Sequence, residues 1–296
     1  MAALILHFDD EAAAAERLAA ATGLASACIE RHRFPDTELR LRLPSALPPT
    51  VVLLRSLANP NEKLVELLLT ARTARQLGAR RLALVCPYLA YMRQDIAFHP
   101  GEVVSQQVIG HFLAGLFDDV ITVDPHLHRI DTLEAAIPVA HAVALSGAPL
   151  LGALIAAHHD DPLLVGPDAE SAQWVAQAAA SHGWAYGVCH KRRSGDREVA
   201  VELPAGLDPR GRAVVLVDDV ASSGHTLARA AEALIARGAA SVDVAVTHAL
   251  FADDAIDVVT AAGVGKVWST DSVPHASNAV SVAPAVAGAM REIGLA

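Results

Sequence analysis

The sequence predicts an α/β protein of two related domains, each a mainly parallel sheet flanked by helices. Three observations carry this. Strand-like and helix-like segments alternate along the chain. Leu82–Cys86, Leu163–Val165 and Val214–Val217 are apolar throughout, without polar alternation. Strands covered on both faces look like this, as in a parallel sheet between helical layers. Finally, each half holds an apolar strand followed at once by a polar loop and a helix: LALVC then PYLAYMRQD, and VVLV then DDVASSGHT.

In order along the chain, Val51–Arg55 is a short strand and Asn59-Pro60-Asn61 a turn. Glu62–Leu77 is predicted helical, with Leu64, Leu67, Leu68 and Ala71 spaced i, i+3, i+4, i+7 as its buried stripe. Gly78 ends it, as a glycine just past a helix often does. Leu82–Cys86 is a strand, Val103–Phe117 a helix and Val120–Val123 a strand. Ala135–Ala157 carries no formal charge and is long enough to cross a bilayer. Pro138, His141 and the Ser146-Gly147-Ala148-Pro149 run break it, so it reads as strand, turn and a buried helix from near Ser146. The domain boundary falls near Val143–Leu151, giving domains 1–145 and 146–296. In the second, Ala169–Ala180 and Ser222–Arg237 are helices and Ala185–Cys189 a strand. Arg192–Glu198, rich in charge and holding Gly195, reads as a mobile loop. The last helix, Ala285–Ile293, suits either domain and is placed with the second.

With 53% hydrophobic and 19% charged residues in 296, the chain has ample core material, which excludes disorder. A net charge of −10 leaves no global field for nucleic acid or an anionic membrane. Any anion site must therefore be a local cluster of positive groups. Three scattered cysteines, Cys28, Cys86 and Cys189, exclude a disulfide framework and suit a reducing, cytoplasmic setting. The N-terminus has no basic region ahead of its apolar run and is not a secretory signal.

Ligands of open α/β sheets sit at the carboxyl ends of the strands. After Val214–Val217 come Asp218 and Asp219, then Ser222, Ser223, Gly224, His225 and Thr226 opening a helix. Helix N-terminal N–H groups with Ser and Thr hydroxyls can cradle a phosphate. The two acids can accept from sugar hydroxyls or hold a metal. A plain capped helix, with Ser222 or Ser223 as N-cap, is the bland alternative.

VVLVDDVASSGHTL resembles the ribose-phosphate motif of the type I phosphoribosyltransferase fold. Other segments are similar to those of ribose-phosphate diphosphokinases (phosphoribosyl pyrophosphate synthetases). These are Phe34-Pro35-Asp36-Thr37-Glu38, with Thr37 where the family has glycine, and Pro87–Asp95 with Arg93, Gln94 and Asp95. Asp124-Pro125-His126, Gly166-Pro167-Asp168 and Lys191-Arg192-Arg193 follow in the family's order, so the resemblance spans about Phe34 to Pro284. It implies two phosphoribosyltransferase-like domains, the first serving ATP and the second ribose 5-phosphate. It implies transfer of the β,γ-diphosphoryl group of ATP to the C1 hydroxyl of ribose 5-phosphate, with Mg²⁺, in a homodimer or larger homo-oligomer.

The resemblance also implies roles. Phe34, Asp36, Thr37, Glu38, Arg93, Gln94 and Asp95 would bind ATP, the aromatic reaching in from a neighbouring subunit. Asp218, Asp219, Ser222, Ser223, Gly224, His225 and Thr226 would bind ribose 5-phosphate. His126 and Asp168 would hold the metal, while Lys191 and Arg193 would stabilise charge during transfer. Such chemistry needs positioning and charge neutralisation more than covalent help. Ser222, His225 and Ala169–Trp174 depart from the family pattern. So does Phe98–Glu102, which looks more like the archaeal-type branch and makes phosphate or ADP control unsafe to carry over. A phosphoribosyltransferase would share Asp218–Thr226 without needing the Arg-Gln-Asp segment. A catalytically silent regulatory subunit would keep the fold and lose the cations.

Overall fold

The computed structural model describes residues 3–194, 198–202 and 206–296, with side chains except at 191–194 and 198–202. The chain forms two units, Met1–Leu145 with Val282–Ala296, and Ser146–Ser281.

The first unit runs β1 (Leu4–His7), α1 (Ala12–Thr22), β2 (Ala25–Cys28), β3 (Glu30–Arg33), β4 (Leu39–Arg42) and β5 (Thr50–Leu54). It continues through α2 (Pro60–Gln76), β6 (Arg81–Cys86), α3 (Ser105–Ala114), β7 (Asp119–Val123), α4 (Leu133–Ala136) and β8 (His141–Leu145). The second holds α5 (Ala148–Ala156), β9 (Leu163–Gly166), α6 (Ala172–Ala180), β10 (Tyr186–Val188), β11 (His190–Ser194), β12 (Glu198–Glu202) and β13 (Ala213–Ala221). Then come α7 (His225–Ala236), β14 (Ser241–Ala249), α8 (Ala255–Ala261), β15 (Val267–Thr270) and β16 (Asn278–Val280), before α9 (Ala283–Glu292) returns to the first unit.

Among the described residues each unit has a six-stranded parallel sheet, ordered β2-β1-β5-β6-β7-β8 and β10-β9-β13-β14-β15-β16. The two orders are one plan used twice, and each unit inserts an antiparallel hairpin at the same point, β3–β4 and β11–β12. The central strands are fully buried because they carry Val, Leu and Ala on both faces: Val51–Leu53, Leu82–Leu84 and Val214–Val217.

Several expectations need correction. Residues 282–296, assigned by sequence to the second domain, belong to the first. The apolar face of α9 (Val286, Ala287, Met290) would suit either core. Polar contacts hold it where it is: Arg81 Nη2 donates to the Ile293 carbonyl at 2.8 Å, and Arg291 Nη1 to that of Ala21 at 3.1 Å. The α2 stripe is rotated. Glu66, Leu67, Thr70, Ala71 and Ala74 are buried, while Leu68 is 37% exposed. The cause is Glu66, an acid that is buried because two arginines pair with it.

The residues from Arg192 expected as a loop are strand at 192–194 and 198, paired across the hairpin; 195–197 lie outside the described residues. The 135–157 stretch contains the end of α4, then β8 and α5, and no described helix is long and apolar enough to cross a membrane.

Candidate active site

In the second unit, β13 runs on past Val217 through Ala221, so Asp218 and Asp219 stand on the strand, not in the loop after it. Strand β14 continues beside them, Asp218 pairing with Val246. Asp219 is buried and Asp218 partly so. Desolvation pushes the Asp218 carboxyl well above the usual carboxylate range, and repulsion from Asp219 and then Asp168 adds to it. Asp168 follows β9, the strand next to β13, so three carboxylates gather at adjacent strand ends. One Asp168 oxygen accepts from the Glu170 N–H at 3.1 Å and caps the turn 169–171.

Ser222 and Ser223 then lead to Gly224, the N-cap of α7 at φ 74°. A Cβ there would lie 2.8 Å from the Ala255 carbonyl oxygen, so only glycine fits. Neither serine is the N-cap; Gly224 holds that position and has no side chain to cap the helix. His225, exposed, and Thr226, partly exposed, open the first turn. Uncapped N–H groups after a glycine turn form an anion-binding end.

The first unit has the same position, and there it is filled. Leu4 pairs with Val51 as Leu163 pairs with Val214, so VVLL-Arg55-Ser56 superposes in register on VVLV-Asp218-Asp219. Arg55, 1% exposed, occupies the position of Asp218. It binds Asp10 at 2.7 and 2.9 Å, pairs with Glu66, and lies 3.5 Å from Glu11. The Phe8 ring supports it at 4.6 Å. Helix α2 starts with a left-handed Asn59 and then Pro60, which has no N–H to offer an anion. Sequence reading missed this cluster because it matched VVLV with LALVC, one strand away. The better signal is VVLLRSLANPNEKL beside VVLVDDVASSGHTL.

The remaining predicted residues sit at strand ends or hairpins. Phe34–Glu38 form the turn of β3–β4: Thr37 N–H donates to the Phe34 carbonyl and Phe34 N–H to that of Glu38, both at 2.9 Å. Asp36 Oδ1 accepts from the Glu38 N–H at 3.2 Å. Thr37, where the resembling sequences have glycine, adopts φ 74°. Arg93 is exposed in the loop after β6. Gln106 of α3 holds that loop, its Nε2 donating to the Met92 carbonyl at 3.0 Å and its N–H to that of Gln94 at 3.2 Å. Gln94 Nε2 donates to the Ile96 carbonyl at 3.0 Å. Asp95 has one oxygen 2.5 Å from Arg129, a partner that sequence reading missed. His126 follows β7, with the His128 ring edge-on to its own at 3.9 Å. The backbone of Lys191 and Arg193 lies on β11, opposite Val201 and Val199; their side chains lie outside the described residues.

Residues 3–116 match the family profile of the N-terminal domain of ribose phosphate pyrophosphokinase, and residues 147–258 match that of the phosphoribosyl transferase domain. A ribose-phosphate pyrophosphokinase from Methanopyrus kandleri is 38% identical over 280 residues, 94% of each chain. Ribose-phosphate pyrophosphokinase 2 from Archaeoglobus fulgidus is 33% identical over 273 residues, 92% of this chain and 94% of that one. The fold is similar to the crystal structure of phosphoribosylpyrophosphate synthetase from Mycobacterium smegmatis, with a TM-score of 0.86, 22% identity and 99% of each chain covered.

Proposed function

Because the chain belongs to the ribose-phosphate pyrophosphokinase family, we propose that it transfers the diphosphoryl group of ATP to the C1 hydroxyl of ribose 5-phosphate. The C1 oxygen bonds to the β-phosphorus, and the bond from that phosphorus to the α–β bridging oxygen breaks. The hydroxyl proton leaves, and AMP departs with the bridging oxygen. The observation that carries the assignment of the two ends is the contrast between the equivalent strand ends. Asp218-Asp219 lead to an uncapped, glycine-started helix, while Arg55 fills the counterpart. This supports placing ribose 5-phosphate in the second unit. Asp218 and Asp219 would accept from its hydroxyls, while Ser222, Ser223, Gly224, His225 and Thr226 would hold its phosphate.

ATP falls to the first unit, where Arg93, with Phe34, offers a planar cation and an aromatic face for the base. Asp36, Thr37, Glu38, Gln94 and Asp95 would complete that site. Lys191 and Arg193, two apart on β11, would stabilise the charge that develops during transfer. Mg²⁺ suits the chemistry of the donors: Asp168 and Asp218 are near enough to repel, and gathered carboxylate oxygens are what a hard cation takes. Asp168 would offer it a ligand from the second unit and His126 one from the first, and once bound it would neutralise phosphate charge. A homo-oligomer agrees with the outward apolar residues Val65, Leu68 and Leu69 of α2.

Steady-state kinetics of Asp218→Asn test the division. The KM for ribose 5-phosphate should rise by about tenfold or more, the cost of a charge-assisted hydrogen bond of roughly 1.5–3 kcal/mol, with the KM for ATP unchanged. A rise confined to the KM for ATP would reverse the assignment.

A further inference from the structure

The β3–β4 hairpin carries the Phe34–Glu38 turn, yet its strands bury almost nothing; every residue of both is exposed or only partly covered. Two-stranded hairpins are marginal by themselves. Charge orients this one. Arg31 and Arg33 are two apart on β3, and Glu62 and Glu66 are four apart on α2. Both spacings keep residues on one face of their element, so two ion pairs form as parallel rungs. Arg31 Nη1 donates to Glu66 Oε1 at 2.6 Å, and Arg33 pairs with Glu62.

The inner rung is fixed. Glu66 is fully buried and held from behind by Arg55, and Arg31 Nη2 also reaches Asp9 at 2.6 Å. The outer rung is open to solvent, with Arg33 and Glu62 side chains 50% and 39% exposed. His32 and Phe34 alternate with the two arginines, and their exposed rings meet edge-on at 4.9 Å. The hairpin thus has one face for anchoring and one for presenting.

We infer that the Arg31–Glu66 and Arg33–Glu62 rungs are positioning residues that aim the Phe34–Glu38 turn at the nucleotide. This rests on the reading of that turn as part of the ATP site. An exposed pair is screened by salt, so the outer rung makes nucleotide affinity depend on ionic strength.

The test uses the full chain and varies both substrates. Arg33→Glu and Glu62→Arg each replace an attraction by a repulsion at the solvent-facing rung. Each should raise the KM for ATP about three- to tenfold, the scale of reversing an exposed pair. The KM for ribose 5-phosphate and the melting temperature should hardly move. The double variant, with the pair restored in reverse, should return the KM for ATP to within about twofold of the parent value. Phe34→Ala is run beside them. If Phe34→Ala raises the KM for ATP and the single reversals do not, the rungs have no positioning role. Reversals that weaken both substrates and the fold together, with no recovery in the double variant, would reduce the rungs to ordinary structural contacts. If Phe34→Ala leaves the KM for ATP unchanged, the nucleotide reading of the turn fails and the inference falls with it.

Discussion

Glu11 accepts a 2.6 Å hydrogen bond from the Ser56 N–H and has Arg55 3.5 Å away, yet burial dominates its ionisation. Desolvation pushes its carboxyl up to about 7, against the pull of Arg55. The charges nearby explain why a proton is tolerated. Arg31, Arg55 and Lys63 face Asp9, Asp10, Glu11 and Glu66, one more acid than base. The folded state therefore binds a proton that the unfolded chain releases near the ordinary carboxylate value. This group's contribution to stability is full below that value and is lost as pH rises through about 7. Glu11→Gln keeps the acceptor for Ser56 without the charge. Chemical denaturation should find it more stable than the parent by roughly 1–3 kcal/mol at pH 8 and equal to it at about pH 3. Equal stability at both pH values would show that Glu11 stays ionised. Thr37 is a second residue whose environment sequence could not supply. Its departure from glycine is visible in FPDTE, but only the fold shows that it sits at φ 74°, a region a β-branched residue seldom enters.

The two hairpins were the elements least legible in the sequence. β3 reads Glu-Arg-His-Arg and β11 His-Lys-Arg-Arg-Ser, with no apolar alternation to mark a strand. Such strands need no core, because pairing satisfies their backbone and, in β3, ion pairs hold the side chains. The buried strands were legible for the opposite reason. Even there, β13 runs four residues beyond Val217, because β14 supplies a partner that local pattern cannot show. The β11–β12 hairpin has a kinetic consequence. If Lys191 and Arg193 act mainly in the transition state, Lys191→Ala should lower kcat and kcat/KM together by about 10²–10³, with KM little changed. Adding Arg193→Ala should cost less than the sum, since the two act as a unit. A near-normal kcat in Lys191→Ala would remove the hairpin from the chemistry.

At the scale of the whole molecule the plan is one sheet topology used twice, with one copy open at its third strand and the other plugged. If the β3–β4 turn of one subunit serves its neighbour, a mixture of the impaired Phe34→Ala and Lys191→Ala proteins should regain part of the activity through hybrid oligomers. The assay follows AMP release after subunits have been shown to exchange, and no recovery would place both residues in one subunit's site. The sequence by itself determined the fold class, the buried strands and the acid-and-glycine string that begins on β13. These rest on local patterns: uninterrupted apolar runs, and a strand end, turn and helix start whose chemistry lies within nine residues. Only the tertiary structure decided which unit takes α9, which face of α2 is buried, and that Arg55 closes the site's twin. Each depends on a partner distant in the chain. Arg81 reaches the end of α9, Glu66 is buried only because Arg31 and Arg55 neutralise it, and Arg55 needs Asp10 and Glu11. A buried charge is stable only with its counter-charge in place, and which charges meet is set by the packing of strands and helices far apart in sequence.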